Sequence, residues 1–542
     1  MTIESPLGTG PVSVEPAGGS PDLSGLSGVA ERLVSKDADL WGPQAAEEAA
    51  VRLGWLDLPT SSRELLPRLT ALRDSLRAAG LDHVVLAGMG GSSLAPEVIT
   101  RTAGVDLTVL DTTDPHQIRA AISDRLDRTV LVVSSKSGST VETDSHRRAY
   151  EKAFRDLGLS AEDLTRRVVV VTDPGSALET SARAAGYEVV LADPNVGGRY
   201  SALSAFGMVP SVLAGVDVEG LLSSAEALLG QLGTDSGNPG LELGAAIGQG
   251  AVDGRDKLVL ADNGSGIVGF GDWAEQLIAE STGKQAKGVL PVVVEGTDAP
   301  GFGDAGPDAH RAVIGSAPGG FDGTAVSGPL GAQFLLWEYA TAVAGNLIGI
   351  NPFDQPNVAE SKDNTKRLLD QAGDDGPLPE GTPVLTDGSV AVYGDESVLS
   401  SAKDVAGVLR AVTEAVPGNG YLAVMAYLDR FGDASAGELR AGLAASMGGR
   451  QVTFGWGPRF LHSTGQFHKG GPQNAAFLQL TGAVSEDLEV PGRPYTFGRL
   501  QLAQALGDLG ALTERGRPAV RLHLLDRAQG LRQVLAACAE LR

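Results

Sequence analysis

Hydroxyl side chains crowd one short segment of this sequence, residues 134–140 (SSKSGST), which we call the hydroxyl segment. It directly follows the apolar run TVLVV, which predicts a buried strand, so the next helix is expected to begin here. The free N–H groups and the dipole of a helix start attract anions, and hydroxyl groups add further donors. One serine would be enough to cap a helix, so the composition favours a phosphate clamp over a plain cap. It is not a Walker loop, because the lysine precedes the glycine.

Two glycine-rich segments indicate places where the backbone could approach a ligand closely. Residues 88–93 (GMGGSS), the glycine loop, follow the first predicted strand, but their spacing is not the dinucleotide fingerprint. Residues 197–201 (GGRYS) place Arg199 beside two glycines, where a guanidinium can stabilise a developing oxyanion. A tight turn and a structural salt bridge are the plainer explanations of these segments, and spacing alone leaves them open.

A carboxylate suited to proton abstraction lies at the end of the apolar helix predicted for WAEQLIA. Glu280 follows this run, and Gln276, four residues earlier, shares its helix face. A carboxylate presented into a dry pocket is the group needed to remove a proton from carbon. A surface position at a helix end is the alternative explanation.

Histidine and lysine complete the set of candidate residues. His462 lies in LHSTGQFHK just beyond a predicted strand and suits proton transfer near neutrality, while its spacing to His468 is poor for a metal. Residues 351–362 (NPFDQPNVAESK), the closing motif, contain Gln355 and Lys362, which are two helical turns apart. A clamp, a carboxylate, an arginine, a histidine and a lysine together suit proton transfer next to a carbonyl on a phosphorylated substrate.

Alternating strands and helices must position these residues. Five apolar β-branched runs separated by helix-like stretches, from HVVLAG to YEVVLAD, predict an α/β fold with a doubly wound parallel sheet. A second series, from KLVLADN to RAVIGS, predicts a second α/β unit in tandem. The region beyond residue 383 contains further strands, and the pattern leaves open whether it forms a third unit or completes the second sheet.

The predicted domains follow from these shifts in pattern. Residues 1–80 form a mobile arm and a helical lead-in, residues 81–240 the first domain with phosphate binding, and residues 241–370 the second domain with the glutamate. Residues 371–542 form a C-terminal α/β region carrying His462. The Gly-, Pro- and Asp-rich stretch 370–383 is predicted to be a surface loop or linker.

Charge and cysteine content exclude several classes of protein. The formal net charge of -24 disfavours nucleic acid and anionic membranes as partners. A single cysteine, Cys538, allows no internal disulfide, and the N-terminus lacks the features of a secretory signal. We therefore expect a cytoplasmic protein.

The motifs together resemble the phosphoglucose isomerase family, whose fold is two tandem sugar-isomerase (SIS) domains of flavodoxin-like type. VGGRYSALSAFG and AESTGK resemble its arginine and glutamate motifs, SSKSGST its phosphate segment, GMGGSS its sugar-phosphate loop, and NPFDQPNVAESK its closing motif. The resemblance implies that Arg199 stabilises an enediolate and that Glu280 shuttles the proton, with Lys362 also catalytic. It implies these substrate contacts: Gly91, Ser92, Ser135, Lys136, Ser137, Thr140, Gln276 and Gln355.

The same resemblance implies the reaction and one departure from the family. A chain of this type would interconvert glucose 6-phosphate and fructose 6-phosphate through an enediol in glycolysis and gluconeogenesis, with no metal or organic cofactor. The ring-opening histidine of the family lies before the closing motif, where this chain has only His310 in an unfamiliar setting. The histidine motif instead resembles LHSTGQ, so His462 is expected to open the ring, with His310 as the alternative. In the family this histidine comes from the neighbouring subunit, which implies a homodimer.

Three alternative functions stay open. An isomerase that also accepts mannose 6-phosphate would use the same residues. A non-catalytic sugar-phosphate sensor would keep the hydroxyl segment but could lack Glu280 and Arg199, both of which are present. A separate activity in the C-terminal third would need its own catalytic set, and the sequence shows none there.

Overall fold

Three β-sheets, each covered by helices, organise the chain in its computed structural model. The structure describes residues 6–17, 19–373 and 376–541. Residues 1–5 and 18 of the predicted arm, residues 374 and 375 of the predicted linker, and residue 542 lie outside the described residues. The α/β fold with two tandem doubly wound units, predicted from the sequence, is confirmed.

The N-terminal lead-in is helical, as predicted, and also contributes a strand. Its elements are β1 (Ser13–Pro16), α1 (Val29–Val34), α2 (Ala46–Ala49), α3 (Leu58–Ser61) and α4 (Leu66–Ala78). Strand β1 pairs antiparallel with a strand of the second sheet, Ser13 opposite Ser327. The expectation of a mobile arm is therefore wrong for Ser13–Pro16.

The first sheet has five parallel strands in the order β3-β2-β4-β5-β6. Its strands are β2 (His83–Gly88), β3 (Thr108–Leu110), β4 (Thr129–Ser134), β5 (Val168–Thr172) and β6 (Glu188–Leu191). Its helices are α5 (Leu94–Ala103), α6 (Pro115–Ser123), α7 (Val141–Asp156), α8 (Ala161–Arg166) and α9 (Ala177–Ala184). Strands β2 and β4, the first and third in sequence, lie side by side, which is the flavodoxin-like order.

Ligands of such sheets bind outside the carboxyl ends of the strands where the order reverses. The glycine loop follows β2, and the hydroxyl segment starts at the end of β4. The topology thus brings these two segments to one point of one sheet edge.

The second sheet repeats the strand order of the first sheet, with one difference at its edge. It runs β1-β10-β9-β7-β8, and the N-terminal strand takes the edge position as an antiparallel fifth strand. Its remaining strands are β7 (Lys257–Asn263), β8 (Leu290–Val293), β9 (Ala309–Gly315) and β10 (Thr324–Ser327). Helix α10 (Ala205–Ala214) packs on β2 and β5 of the first sheet, and the helices of the second unit are α11 (Glu219–Leu232), α12 (Pro239–Val252), α13 (Phe270–Thr282) and α14 (Leu330–Ile348).

The C-terminal region forms a third sheet of its own. Its strands are β11 (Leu385–Asp387), β12 (Val390–Gly394), β13 (Tyr421–Tyr427), β14 (Gln451–Trp456), β15 (Ala475–Gly482) and β16 (Ala519–Leu524). Its helices, including the one that leads into it, are α15 (Val358–Ala372), α16 (Glu396–Leu399), α17 (Val405–Glu414), α18 (Glu438–Ala444), α19 (Gly465–Gly470), α20 (Phe497–Thr513) and α21 (Arg527–Ala539). The parallel strands follow the order β14-β13-β15-β16, so the same reversal occurs a third time.

Shared cores hold the three units together. One apolar cluster includes Trp55 of the lead-in, Val132 of the first sheet and Phe270 of the second unit. Another joins Val259 of the second sheet to Tyr421 of the third. No helix within these described residues combines the length and the apolar character that crossing a bilayer requires.

Candidate active site

The carboxylate of Glu280 lies in a recess between the first and second units. Its side chain is 12% exposed and lies near the end of α13. One carboxylate oxygen is 3.4 Å from Nη1 of Arg199, and the other accepts a hydrogen bond of 3.0 Å from Nε2 of Gln276. A cation and an amide donor therefore hold both oxygens in a fixed orientation.

The guanidinium group of Arg199 is buried and held rigidly by hydrogen bonds. Its side chain is only 3% exposed, and Nε donates to Oγ of Ser281 at 2.7 Å. Nη1 donates to the side-chain oxygen of Gln355, and Nη2 donates to the carbonyl oxygens of Pro352 and Asp354. The guanidinium thus fastens the closing motif over the glutamate.

Lys284 also binds the closing motif, a role that the sequence did not predict. Its Nζ donates to the carbonyl oxygens of Asn351 and Asp354 and pairs with the Asp354 carboxylate at 2.6 Å. Burial lowers the pKa of Lys284 to about 8. The only available signal was its place in the motif AESTGK.

Glycine allows the loops around this recess to touch. A Cβ atom at Gly91 would lie 1.9 Å from the carbonyl oxygen of Gly198. The hydroxyl of Ser201 donates to the Gly91 carbonyl oxygen at 3.3 Å, and Ser92 is buried beside it. The glycine loop and the arginine segment therefore form one packed unit.

His462 is held by a buried carboxylate that the sequence analysis missed. Nε2 of His462 lies 3.1 Å from Oε1 of Glu142, on the first turn of α7. The same oxygen accepts a hydrogen bond of 2.8 Å from Gln504 of α20, whose own amide oxygen accepts one from Thr113. Burial opposes ionisation of Glu142, but the charges of His462 and Lys362 outweigh it and lower its pKa to about 2.

The histidine and the glutamate recess are neighbours within one chain. Gly90 separates them: a Cβ atom there would lie 2.7 Å from Nε2 of Gln276 and 2.9 Å from the carbonyl oxygen of His462. The expectation that this histidine comes from a neighbouring subunit is corrected by this contact. Among the described residues, Gln276 and His462 of one chain therefore lie together around Gly90.

A cleft of about 770 Å³ opens beside His462. Its polar lining includes Ser137, Ser139, Thr140, Glu142, Lys362, Lys366, His462, Arg493 and Gln504. Three parts of the chain form its walls: the hydroxyl segment with α7, helix α15, and the C-terminal unit. The cleft therefore combines hydroxyl donors, cations and a histidine.

Two predicted contacts of the hydroxyl segment do not line this cleft. Oγ of Ser135 bonds to Oγ1 of Thr140 and accepts from the Gly138 N–H, so it shapes the segment from within. Lys136 pairs with Asp173 and donates to the carbonyl oxygen of Pro194. Its charge is thus paired with Asp173, and Lys136 is not among the residues that line the cleft.

The remaining candidates occupy different places. Lys362 is exposed on α15 and lines the cleft, whereas Gln355 precedes that helix and contacts Arg199. His310 lies in β9, where Nε2 bonds to Oγ1 of Thr324. Burial lowers the pKa of His310 to about 4, and it does not line the cleft.

One polar atom of the recess has no partner among the described residues. Oε1 of Gln276 is buried and makes no hydrogen bond, while Nε2 of the same amide is used on Glu280. A buried, unpaired acceptor costs about 1–3 kcal/mol. A hydroxyl group of a bound ligand would satisfy it.

Comparison with known sequences and structures shows which proteins this chain is similar to. The sequence model described as Phosphoglucose isomerase matches residues 74–314. The chain is 29% identical over 395 residues to the glucose-6-phosphate isomerase of Rubrobacter xylanophilus, and 26% identical over 395 residues to that of Parabacteroides distasonis. These alignments cover 59% of this chain and 90% and 88% of those proteins. A "probable glucose-6-phosphate isomerase" of Haloarcula marismortui is 33% identical over 223 residues, and the chain spans about half (49%) of its length.

Solved structures agree with the fold. A hypothetical protein from Thermus thermophilus superposes with a TM-score of 0.54 at 25% identity, covering 64% of this chain and 95% of that chain. A glucose-6-phosphate isomerase from Chlamydia trachomatis gives a TM-score of 0.50 at 21% identity, covering 63% and 78%. Its matched segment and its fold make the chain similar to members of the phosphoglucose isomerase family.

Proposed function

We propose that this protein is a glucose-6-phosphate isomerase that interconverts glucose 6-phosphate and fructose 6-phosphate. The observation that carries the proposal is the position of Glu280, clamped by Arg199 and Gln276 beside the cleft that holds His462. The relatives named above as glucose-6-phosphate isomerases support it. The cytoplasmic location and the homodimer stay predictions.

Proton transfer between the two carbons is assigned to Glu280. The carboxylate removes the proton from C2 of the open-chain aldose, and the electrons move into an enediolate whose charge rests on oxygen. The proton on O2 passes to O1, and the same carboxyl group returns the carbon-bound proton to C1, which leaves the ketose. General acid–base catalysis of this kind contributes about 10²–10⁴-fold.

Arg199 stabilises the enediolate in this scheme. Its guanidinium is fixed by four oxygen acceptors and lies 3.4 Å from the glutamate, so the positive charge needs no reorganisation during the reaction. The unpaired amide oxygen of Gln276 is free to accept a hydrogen bond from a sugar hydroxyl.

Ring opening is assigned to His462 and Lys362. The ionised Glu142 lies 3.1 Å from Nε2 of the imidazole and fixes the ring, which can then exchange a proton between O5 and O1 of the cyclic sugar. Lys362 faces the same cleft. The phosphate group is assigned to the hydroxyl segment, where Ser137 and Thr140 line the cleft at the start of the 16-residue helix α7.

The variant E280Q tests the proposal. We expect wild-type protein to isomerise glucose 6-phosphate and E280Q to lose about 100- to 10,000-fold in kcat, since the amide cannot accept the proton. Exchange of the C2 proton with deuterated water, followed by NMR, should fall equally. Mannose 6-phosphate is assayed in parallel to define the substrate range.

Glu275 offers a matched control on the same helix. Burial raises the pKa of Glu275 to about 8, so near neutral pH it already resembles the neutral amide of glutamine. E275Q is expected to retain activity at pH 7. Full turnover by E280Q would refute the assignment of Glu280 as the base.

A further inference from the structure

The hydroxyl segment brings no cation of its own to the cleft. Lys136 is the only basic residue within residues 134–140, and its ammonium group is taken up by Asp173 and the carbonyl oxygen of Pro194. A phosphate dianion in a protein of net charge -24 requires local positive charge. That charge has to come from another wall of the cleft.

Arg493 supplies a cation from the C-terminal unit. It lies in the loop between β15 and α20 and lines the cleft together with Ser137, Ser139 and Thr140. Nη2 donates to Oδ2 of Asp144 at 2.5 Å, on the first turn of α7 directly after the hydroxyl segment. This single anchor leaves the rest of the guanidinium available, and the side chain is 40% exposed.

The carboxylate of Asp144 forms the ion pair that holds Arg493 in place. Burial opposes its ionisation, but hydrogen bonds from Arg148, Arg493 and Arg147 lower its pKa to about 2. Of the three arginines, only Arg493 lines the cleft. The other two belong to α7 itself and point their donors to Asp144, Glu151 and the loop carbonyl of Pro491.

We propose that Arg493 binds the phosphate group of the substrate from the C-terminal wall of the cleft and selects for phosphorylated sugars. The inference rests on the proposed function, because it names a specificity residue for the same site. The planar fork of a guanidinium suits bidentate contact with phosphate oxygens. Arg493 lies beyond residues 74–314, the part of the chain that the family model matches.

The two lysines of the cleft fit this role less well. Lys362 lies close enough to Glu142 to lower its pKa, which places it at the ring-opening end with His462. Lys366 is exposed on α15, one turn further along, and makes no ion pair among the described residues. Arg493 is the one anchored beside the hydroxyl segment.

Calorimetric titration with inorganic phosphate tests the proposal without turnover. We expect R493Q to raise the Kd for phosphate about tenfold, which corresponds to the loss of one charge-assisted contact. R148Q is the matched control: Arg148 bonds to the same Asp144 and to Pro491 of the same loop but does not line the cleft. Its Kd should stay within about twofold of the wild-type value.

The kinetic counterpart separates binding from catalysis. R493Q should raise KM for glucose 6-phosphate about tenfold with little change in kcat, and R493K should recover part of the loss because the charge returns. An unchanged Kd in R493Q, equal weakening in R148Q, or no recovery in R493K overturns the proposal. Wild-type protein that binds phosphate through Arg493 but does not isomerise the sugar would instead contradict the proposed function.

Discussion

At the scale of single residues, each charged or titratable group of the site is held in place by polar partners. Glu280, Arg199 and His462 belong to motifs that the sequence displays, but the residues that orient them do not. Glu142 contacts His462, and Gln504 donates to the same Glu142 oxygen although 362 residues separate Gln504 from Glu142 along the chain. Such a contact has no local signature, because the sequence spacing between the partners carries no information about it.

The role of Glu142 as a positioning residue predicts a specific defect. In E142Q an amide replaces the carboxylate that orients the imidazole of His462, so anomerisation of glucose 6-phosphate, measured by NMR exchange spectroscopy, should slow about tenfold or more. Proton exchange at C2 of open-chain substrate should fall much less, since Glu280 is untouched. Equal losses in both reactions would indicate general damage to the site.

The same substitution predicts a change in acid stability. The pKa of Glu142 lies near 2 in the folded protein against an ordinary value of 4.5, so its contribution is present above about pH 4.5 and disappears as the pH falls towards 2. E142Q should therefore show a shallower loss of unfolding free energy across that window, measured by urea denaturation at several pH values.

At the scale of elements, the apolar runs predicted the strands well. HVVLAG, TVLVVSS and VVVVTD became β2, β4 and β5 because each is a continuous β-branched segment buried on both faces. Strand β1 was missed because SVEP is short and partly polar, and its partner lies some 300 residues away. Strands β15 and β16 carry a buried glutamine and a buried arginine, Gln479 and Arg521, which interrupt the apolar pattern.

The contact between the glycine loop and the arginine segment predicts an asymmetric response to one added methyl group. G91A would place Cβ 1.9 Å from the backbone oxygen of Gly198, so the loops must separate at a cost of about 1–3 kcal/mol. G198A is the control on the opposite side of this contact, because its Cβ would meet nothing within 4 Å. Thermal unfolding should show a clearly lower Tm for G91A than for G198A. Similar Tm values would contradict the close packing.

At the scale of the whole molecule, a third sheet completes the active cleft. The family match ends at residue 314, yet His462, Gln504 and Arg493 all come from the C-terminal unit. Sequence comparison with shorter relatives could not place this unit, since their alignments cover only 59% of the chain. The shared core around Val259 and Tyr421 explains its docking, because it buries apolar surface of the second and third units together.

A site built within one chain makes a prediction that two inactive variants can test. E280Q retains His462 and H462N retains Glu280, so co-expressed chains could regain activity only if a site took its glutamate from one subunit and its histidine from another. A Cβ atom at Gly90 would meet both Gln276 and His462 of the same chain, so we expect each site to take its histidine from its own chain. We expect the purified mixture to show no more activity than the two variants measured separately, whereas wild type co-expressed with either variant keeps the activity of its own sites. Recovery of a substantial part of the wild-type rate in the mixture would mean that His462 acts across a subunit interface, and that the third sheet completes the site of a neighbour rather than its own.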